Sequence, residues 1–313
     1  MKAKIFVFAL LISVLAVGIF SGCKRDKKNE SLDPQIEQFN NDANYYKAES
    51  DQVDSDVNGA LGDIPSFGKA EETYSSPMCG VTIDSTQIAQ HILYFNFDGI
   101  TPCFSPSRTR SGQIKVELTT GNLWSDVGAV LTLTYIDFKV TRMSDNKSIK
   151  FNGVKTLKNI NGNNWLTFLL GSITLKYQER AFNIAVVFDD GSTSVWNSAR
   201  ITEWSYSMAD SKITFSALGD TTLSGFSTVD SWGVNRYAMD FTTYYNTAIV
   251  SNSYCGLWRP NSGELVHHVD GGDFTLTLGV DQQGNASTLA CAYGYKVSWT
   301  GNNSNTSSVI LSY

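Results

Sequence analysis

Asp54, Asp56 and Asn58 stand at alternate positions in DSDVNGALGDI, with Gly59 next and Leu61 where a calcium loop carries an aliphatic residue. A loop of that kind needs a carboxylate at its twelfth position, to close the shell with two oxygens. Counted from Asp54 that place is Pro65, which offers no side-chain oxygen, and Asp63 falls two residues early. Val53, Val57 and Ala60 also continue an apolar stripe begun at Ile36. A helix through Asp54 and Asp56 is therefore expected to turn both to solvent, and no metal site is expected.

The second candidate is His267–His268 in ELVHHVDGGDF. Neighbours on a strand face opposite sides, so the two histidines cannot easily share an ion. His268 and Asp270 share a face and Asp273 could join them, but zinc wants three or four such ligands, and His91 is the one other histidine. A strand entering a tight turn accounts for the same residues. No Gly-x-Ser-x-Gly elbow, His-Glu-x-x-His helix or phosphate-cradling glycine loop occurs. Asp98, Glu117, Asp189, Asp190, Glu203 and Asp240 could supply a glycosidase pair, which sequence cannot bring together. Arg108 and Arg110 could grip a carboxylate or phosphate; solvating a hairpin loop is the plainer expectation. Trp124, Trp165, Trp196, Trp204, Trp232, Trp258 and Trp299 could form an exposed row that stacks on sugars, Trp196 and Trp204 sharing a parity. A large β core needs such residues too, and core packing is the expectation. No catalytic residue and no cofactor is assigned.

The elements that must position these residues begin with an export signal. Lys2 and Lys4 precede an apolar run from Ile5 to Phe20, and Ser21-Gly22 lead into Cys23. The run is too short for a stable span and stops at the cysteine, in the manner of a bacterial lipobox. Residues 1–22 are read as the signal peptide, Cys23 as the lipid attachment, and 23–30 as a basic tether. Acyl chains hold at about 0.8 kcal/mol per buried methylene, so the chain is expected to be anchored rather than spanning. Resemblance to bacterial sorting rules, with Lys24 rather than Asp after the cysteine, implies the outer membrane. The formal charge of −6 becomes −8 once Lys2 and Lys4 leave with the leader. That acidity argues against nucleic acid and leaves a glycan or an envelope protein as the expected partner classes beside the membrane.

Residues 31–62 read as the convincing helix, with Pro34 suited to its first turn. Ile36, Phe39, Ala43, Tyr46, Val53 and Val57 form its stripe, and Asp42, Glu49, Asp51, Asp54 and Asp56 an acidic outer face. Residues 63–78 read as a linker. From Cys79 to Tyr313 the period is two, as in Ile114-Val116-Leu118, Phe274-Leu276-Leu278 and Val309-Leu311-Tyr313. In VLTLTYIDFKV the apolar parity slips after Tyr135, predicting a bulge. The expected class is all-β: a large antiparallel sandwich or extended sheet, in one body or two subdomains, with one N-terminal amphipathic helix. Four cysteines remain beyond the anchor and allow three disulfide connectivities. Joining nearest neighbours gives Cys79 with Cys103 and Cys255 with Cys291.

CGVTID, YFNFDG, RTRSGQIKV, VNRYAMDFTT and CGLWRPNSGEL, with a closing strand–Asp-turn–Cys–strand unit, together resemble an uncharacterised family of Bacteroidetes lipoproteins. The resemblance runs from the helix to the C-terminus. It implies a lipobox, an acidic N-terminal helix and a long β body. It carries no activity.

Overall fold

The computed structural model describes residues 34–63, 78–104, 107–163, 168, 173–257, 259–269, 272–300 and 306–313. The signal peptide, Cys23, the tether, linker residues 64–77, Trp165, Trp258 and Asp270 lie outside them. One long α-helix, α1, runs Pro34–Asp63. Proline at its first position needs no N–H there, and its fixed φ suits the entry.

Apart from one short 3-10 turn, the rest of the described residues build one antiparallel sheet, within the expected all-β class. Its first half is β1 (Val81–Asp84), β2 (Ile92–Asp98), β3 (Cys103–Phe104), β4 (Ser107–Thr120), β5 (Val130–Arg142), β6 (Ser148–Asn159), β7 (Thr174–Phe188) and β8 (Thr193–Ser207). Its second half is β9 (Lys212–Gly219), β10 (Thr221–Leu223), β11 (Phe226–Val234), β12 (Asp240–Asn252), β13 (Pro260–Val269), β14 (Gly272–Val280), β15 (Gly294–Thr300) and β16 (Thr306–Ser312). Neighbours follow chain order almost throughout. The exceptions are β2, which pairs with β4 past the short β3, β10, which pairs only with β11 among the described strands, and the gap between β8 and β12, filled by β11 over one half of their length and β9 over the other.

Sheet and helix are wound together. Strands sit about 4.8 Å apart, so the six steps from β4 to β12 would separate them by roughly 29 Å in a flat sheet. Glu49 nevertheless meets Arg108 on β4, while Lys47, two residues earlier, meets Tyr245 on β12. Only a sheet curled around α1 permits both. The bend has a visible cause. Register shifts line up on four adjacent strands: at Ser111/Gln113, Tyr135/Phe138, Asn152/Val154 and Ala181/Ile184. Bulges of this kind bend the strand that carries them. At two of them the chain turns left-handed, at Asp137 (φ 48°) and Asn183 (φ 55°). Each freed N–H donates to an asparagine on the next strand, Asn152 Oδ1 at 2.8 Å and Asn197 Oδ1 at 2.9 Å. Gly112 (φ 88°) lies in the same line, and a Cβ there would collide with the Asp137 carbonyl.

The bulge expected after Tyr135 is therefore present, with one correction. Phe138 and Val140 turn inward, but Ile136 sits in the bulge itself and is exposed. Val309 and Leu311 also depart from expectation: β16 pairs only with β15 among the described strands, and both side chains are 41% exposed on that edge. Inside, Phe39, Tyr46, Val53 and Val57 from α1 join Trp196, Phe151, Leu133 and Val116 from the sheet in one core.

Candidate functional site

The helix stripe is flanked by two rails of charge, and both face inward. Asp42, Glu49 and Asp56 recur at heptad spacing, about two turns apart, so they share one edge. Lys47, Asp51 and Asp54 line the other. On the first rail Asp42 accepts from Arg236 Nε at 2.6 Å, Glu49 lies 3.3 Å from Arg108, and Asp56 lies 2.5 Å from Arg110. On the second, Asp54 lies 2.6 Å from Lys155, Asp51 pairs with Arg200, and Lys47 lies 3.6 Å from Asp230. Arg200 also donates to Glu179 Oε2 at 2.8 Å.

Two expectations are overturned here. The helix acids do not form an outer face, because the sheet wraps both edges of α1 and supplies a cation to each of them. Arg108 and Arg110 do not solvate a loop; they are 3% and 4% exposed and point under the helix. The metal question sharpens in the same place. One carboxylate oxygen from each of Asp51, Asp54 and Glu179 lies within 4.8 Å of the others. Lys155 and Arg200 already bring the positive charge that an ion would supply.

The second rail is also where protonation is unusual. Lys47, Lys155 and Arg200 face Asp51, Glu179 and Asp230, three cations against three anions. Asp54 would be a fourth anion. Burial, only partly offset by Lys155, pushes its carboxyl up to about 7. Glu179 feels the same burial, but Arg200 and Lys155 outweigh it and hold the group below its usual range. Burial thus favours the protonated form at Asp54, while the two cations favour the ionised form at Glu179. His267, on β13, is driven down to about 4 by burial and by Lys47, and hydrogen-bonds Thr243 at 2.7 Å. The cavity among these groups, touching Lys47, Asp51, Glu179, Arg200, Asp230 and His267, measures ≈ 40 Å³. A water needs about 10–15 Å³ on such a measure and a ligand pocket about 300 Å³ or more. The space suits a few waters.

The remaining candidates scatter. His267 points inward and His268 outward, as neighbours on a strand must; His268 meets Asp273 at 2.6 Å. His91 ends a short 3-10 turn far along the chain. Asp98 accepts the Ile100 and Thr101 N–H groups, Glu117 pairs with Lys115, and Glu203 with Lys176. Asp190 accepts from Ser192 and Arg236, while Asp189 and Asp240 are exposed. None of these six joins the buried set. Trp196 stacks on Tyr46 at 4.7 Å, Trp124 on Tyr177 at 5.7 Å, and Trp204 packs on Phe215 at 4.6 Å. Trp196 and Trp124 are buried in the core and Trp204 packs against it, as the core reading expects. Trp232 meets Phe182 on the outer face, and Trp299 is half-buried on β15.

Sequence reasoning missed Lys155, Glu179 and Arg200. Their signal was available: Lys155 shares the inward parity of Leu157, Glu179 that of Tyr177, and Arg200 that of Trp196. A charge on the core face of a strand calls for a partner.

The cysteines pair Cys79 with Cys103 and Cys255 with Cys291, at Cα–Cα separations of 5.5 and 5.3 Å. The second bridge ties the β12–β13 loop to the β14–β15 connection. No protein-family model matches the chain, and no curated protein and no solved structure matches it.

Proposed function

We propose that the chain is a lipid-anchored module of the outer membrane that binds or spaces partners at the envelope surface without transforming them. The observation that carries this reading is the occupied interior. The concave side of the sheet, where a curled sheet could hold a substrate, is filled by the chain's own helix. The acids gathered there are each matched to a lysine or arginine. Recognition is then left to outer surfaces and loops. The leader ending at Cys23 and the resemblance to Bacteroidetes lipoproteins support the anchor. No α-helix among the described residues is long and apolar enough to cross a membrane.

Cys23→Ser tests the anchor. The variant is expected in the soluble fraction after cell lysis, whereas the parent chain sediments with membranes; sedimentation of both ends the lipoprotein reading. A second reading, glycan handling, is favoured by one feature, the cleft beside Tyr254.

A further inference from the structure

Three connections meet at one end of the sheet: the β8–β9 turn, the β12–β13 loop and the β14–β15 connection. Between them is a cleft of ≈ 460 Å³, lined by Asp210, Lys212, Asn252, Ser253, Tyr254 and Ala290. That volume lies within the range of small-molecule sites, about 300–1,000 Å³, unlike the cavity under the helix. The walls are held firmly. Cys255, next to Tyr254, is bridged to Cys291 next to Ala290. Ser253 N–H donates to the Ile213 carbonyl at 2.8 Å, and Ile213 N–H returns a bond to Ser253 Oγ at 2.9 Å.

Tyr254 is the unusual element. Its side chain is 76% exposed, the most of any tyrosine among the exposed large hydrophobics, and it has no ring contact or hydrogen bond among the described residues. The aromatics on the sheet's outer face differ: Phe226 lies 4.7 Å from Tyr244, nearly parallel, so those ring faces are covered by each other. Tyr254 therefore offers an open π-face at the edge of a preformed cleft. Around it are polar atoms with capacity to spare. Asp210 Oδ2 accepts from Ser207 at 3.2 Å and Asn252 Oδ1 from the Cys255 N–H at 3.1 Å. Asp210 Oδ1, Asn252 Nδ2 and Lys212 Nζ make no such bond among the described residues.

We propose that this cleft is a carbohydrate subsite: Tyr254 stacks on the C–H face of a neutral pyranose, and Asp210, Asn252 and Lys212 engage its hydroxyls. The ring's negative face attracts the weakly positive C–H groups of a sugar. One carboxylate and one ammonium leave the cleft without net charge, which favours a neutral polyol over a phosphate or an acidic peptide. A peptide adding as a strand finds no free edge, because Asn252 already pairs with Thr214. The inference rests on the reading of the chain as a binding module and names the ligand class.

The test uses the full chain in detergent and neutral hexasaccharides of glucose, mannose and xylose, read by saturation-transfer NMR and titration calorimetry. At least one of them is expected to bind. Tyr254→Ala should weaken that binding by about tenfold or more, Tyr254→Phe should stay within about threefold, and Phe182→Ala, an exposed ring elsewhere, should change nothing. Absence of binding by all three sugars overturns the proposal, as does a Tyr254→Ala variant that binds like the parent. Preference for a sulfated or phosphorylated sugar, or for a peptide, overturns it too. Membrane release by Cys23→Ser is measured without sugar, so failure of the subsite and failure of the anchor are told apart.

Discussion

The seam beneath α1 and the cleft beside Tyr254 use the same residue types and differ in what those residues already touch. Both contain an aspartate, a lysine and a tyrosine. In the seam, Asp54 is closed by Lys155, Asp230 by Lys47 and Tyr245, and the residual space is ≈ 40 Å³. In the cleft, Asp210, Lys212 and Tyr254 keep open valences around ≈ 460 Å³. Charges buried with their partners hold a structure in one arrangement, and removing one partner is costly because the other is left in low dielectric. Groups with unused valences at a surface cost little to remove and are free to meet something else. The difference separates residues that maintain this fold from residues available for recognition.

The strongest way to break that comparison is Arg200→Leu. It strands Glu179 and Asp51 together, and a loss of about 3–5 kcal/mol in urea unfolding is expected. The exposed pair Arg142–Asp145 is the control, where Arg142→Leu should cost under about 1 kcal/mol. Equal losses at both positions would mean that the seam is no stronger than a surface ion pair. Next comes the disulfide that bounds the cleft. Cys255→Ser with Cys291→Ser opens a span of 36 residues, and about 3–4 kcal/mol should go, mostly through the freed unfolded chain. A melting temperature that does not move would show that the loops are held by their hydrogen bonds alone.

The third test concerns Asp54. Its folded carboxyl is raised from 3.8 to about 7, so between those values the native state holds more proton than the unfolded chain. Stability from this group is present at low pH and falls as pH rises toward 7. Asp54→Asn removes the titration. The parent should lose on the order of 1–2 kcal/mol relative to the variant between pH 5 and 8. His267 slopes the other way, because its folded pKa is depressed to about 4, but it is common to both proteins and cancels in the difference. Parallel pH profiles would place the titration elsewhere.

Much of the architecture was legible because it depends on local period. Phe39, Ala43, Tyr46, Val53 and Val57 repeat at helical spacing and are buried along α1. The slip after Tyr135 marked a bulge, and the nearest cysteines did pair. The acids of α1 were misread for a physical reason. A carboxylate beside an apolar stripe is ordinarily at the edge of a solvated face, and the helix alone gives no sign that a sheet will close over it. That sign lay in other segments, where Lys155, Glu179 and Arg200 occupy core-facing positions on β6, β7 and β8. Joining the two patterns needs the curl of the sheet, which arises from four bulges in register and not from any single one. The cleft was less legible still, since its walls come from three loops far apart in the chain.

The smallest expected effect in stability is the one that separates the two regions best. Tyr254→Ala removes a side chain that is largely in water and, among the described residues, packs on no ring and makes no hydrogen bond, so unfolding free energy should stay within about 0.5 kcal/mol of the parent. Tyr245→Phe, which removes only a hydroxyl, should cost more, because that hydroxyl bonds Asp230 at 3.2 Å in the seam and also meets Lys47. Leaving both groups short of a partner is expected to lose about 1–3 kcal/mol. Urea melts of the two variants side by side decide the matter. If deleting the whole ring of Tyr254 destabilises more than deleting the one oxygen of Tyr245, then Tyr254 is a packing residue and the cleft is no more open to a partner than the seam.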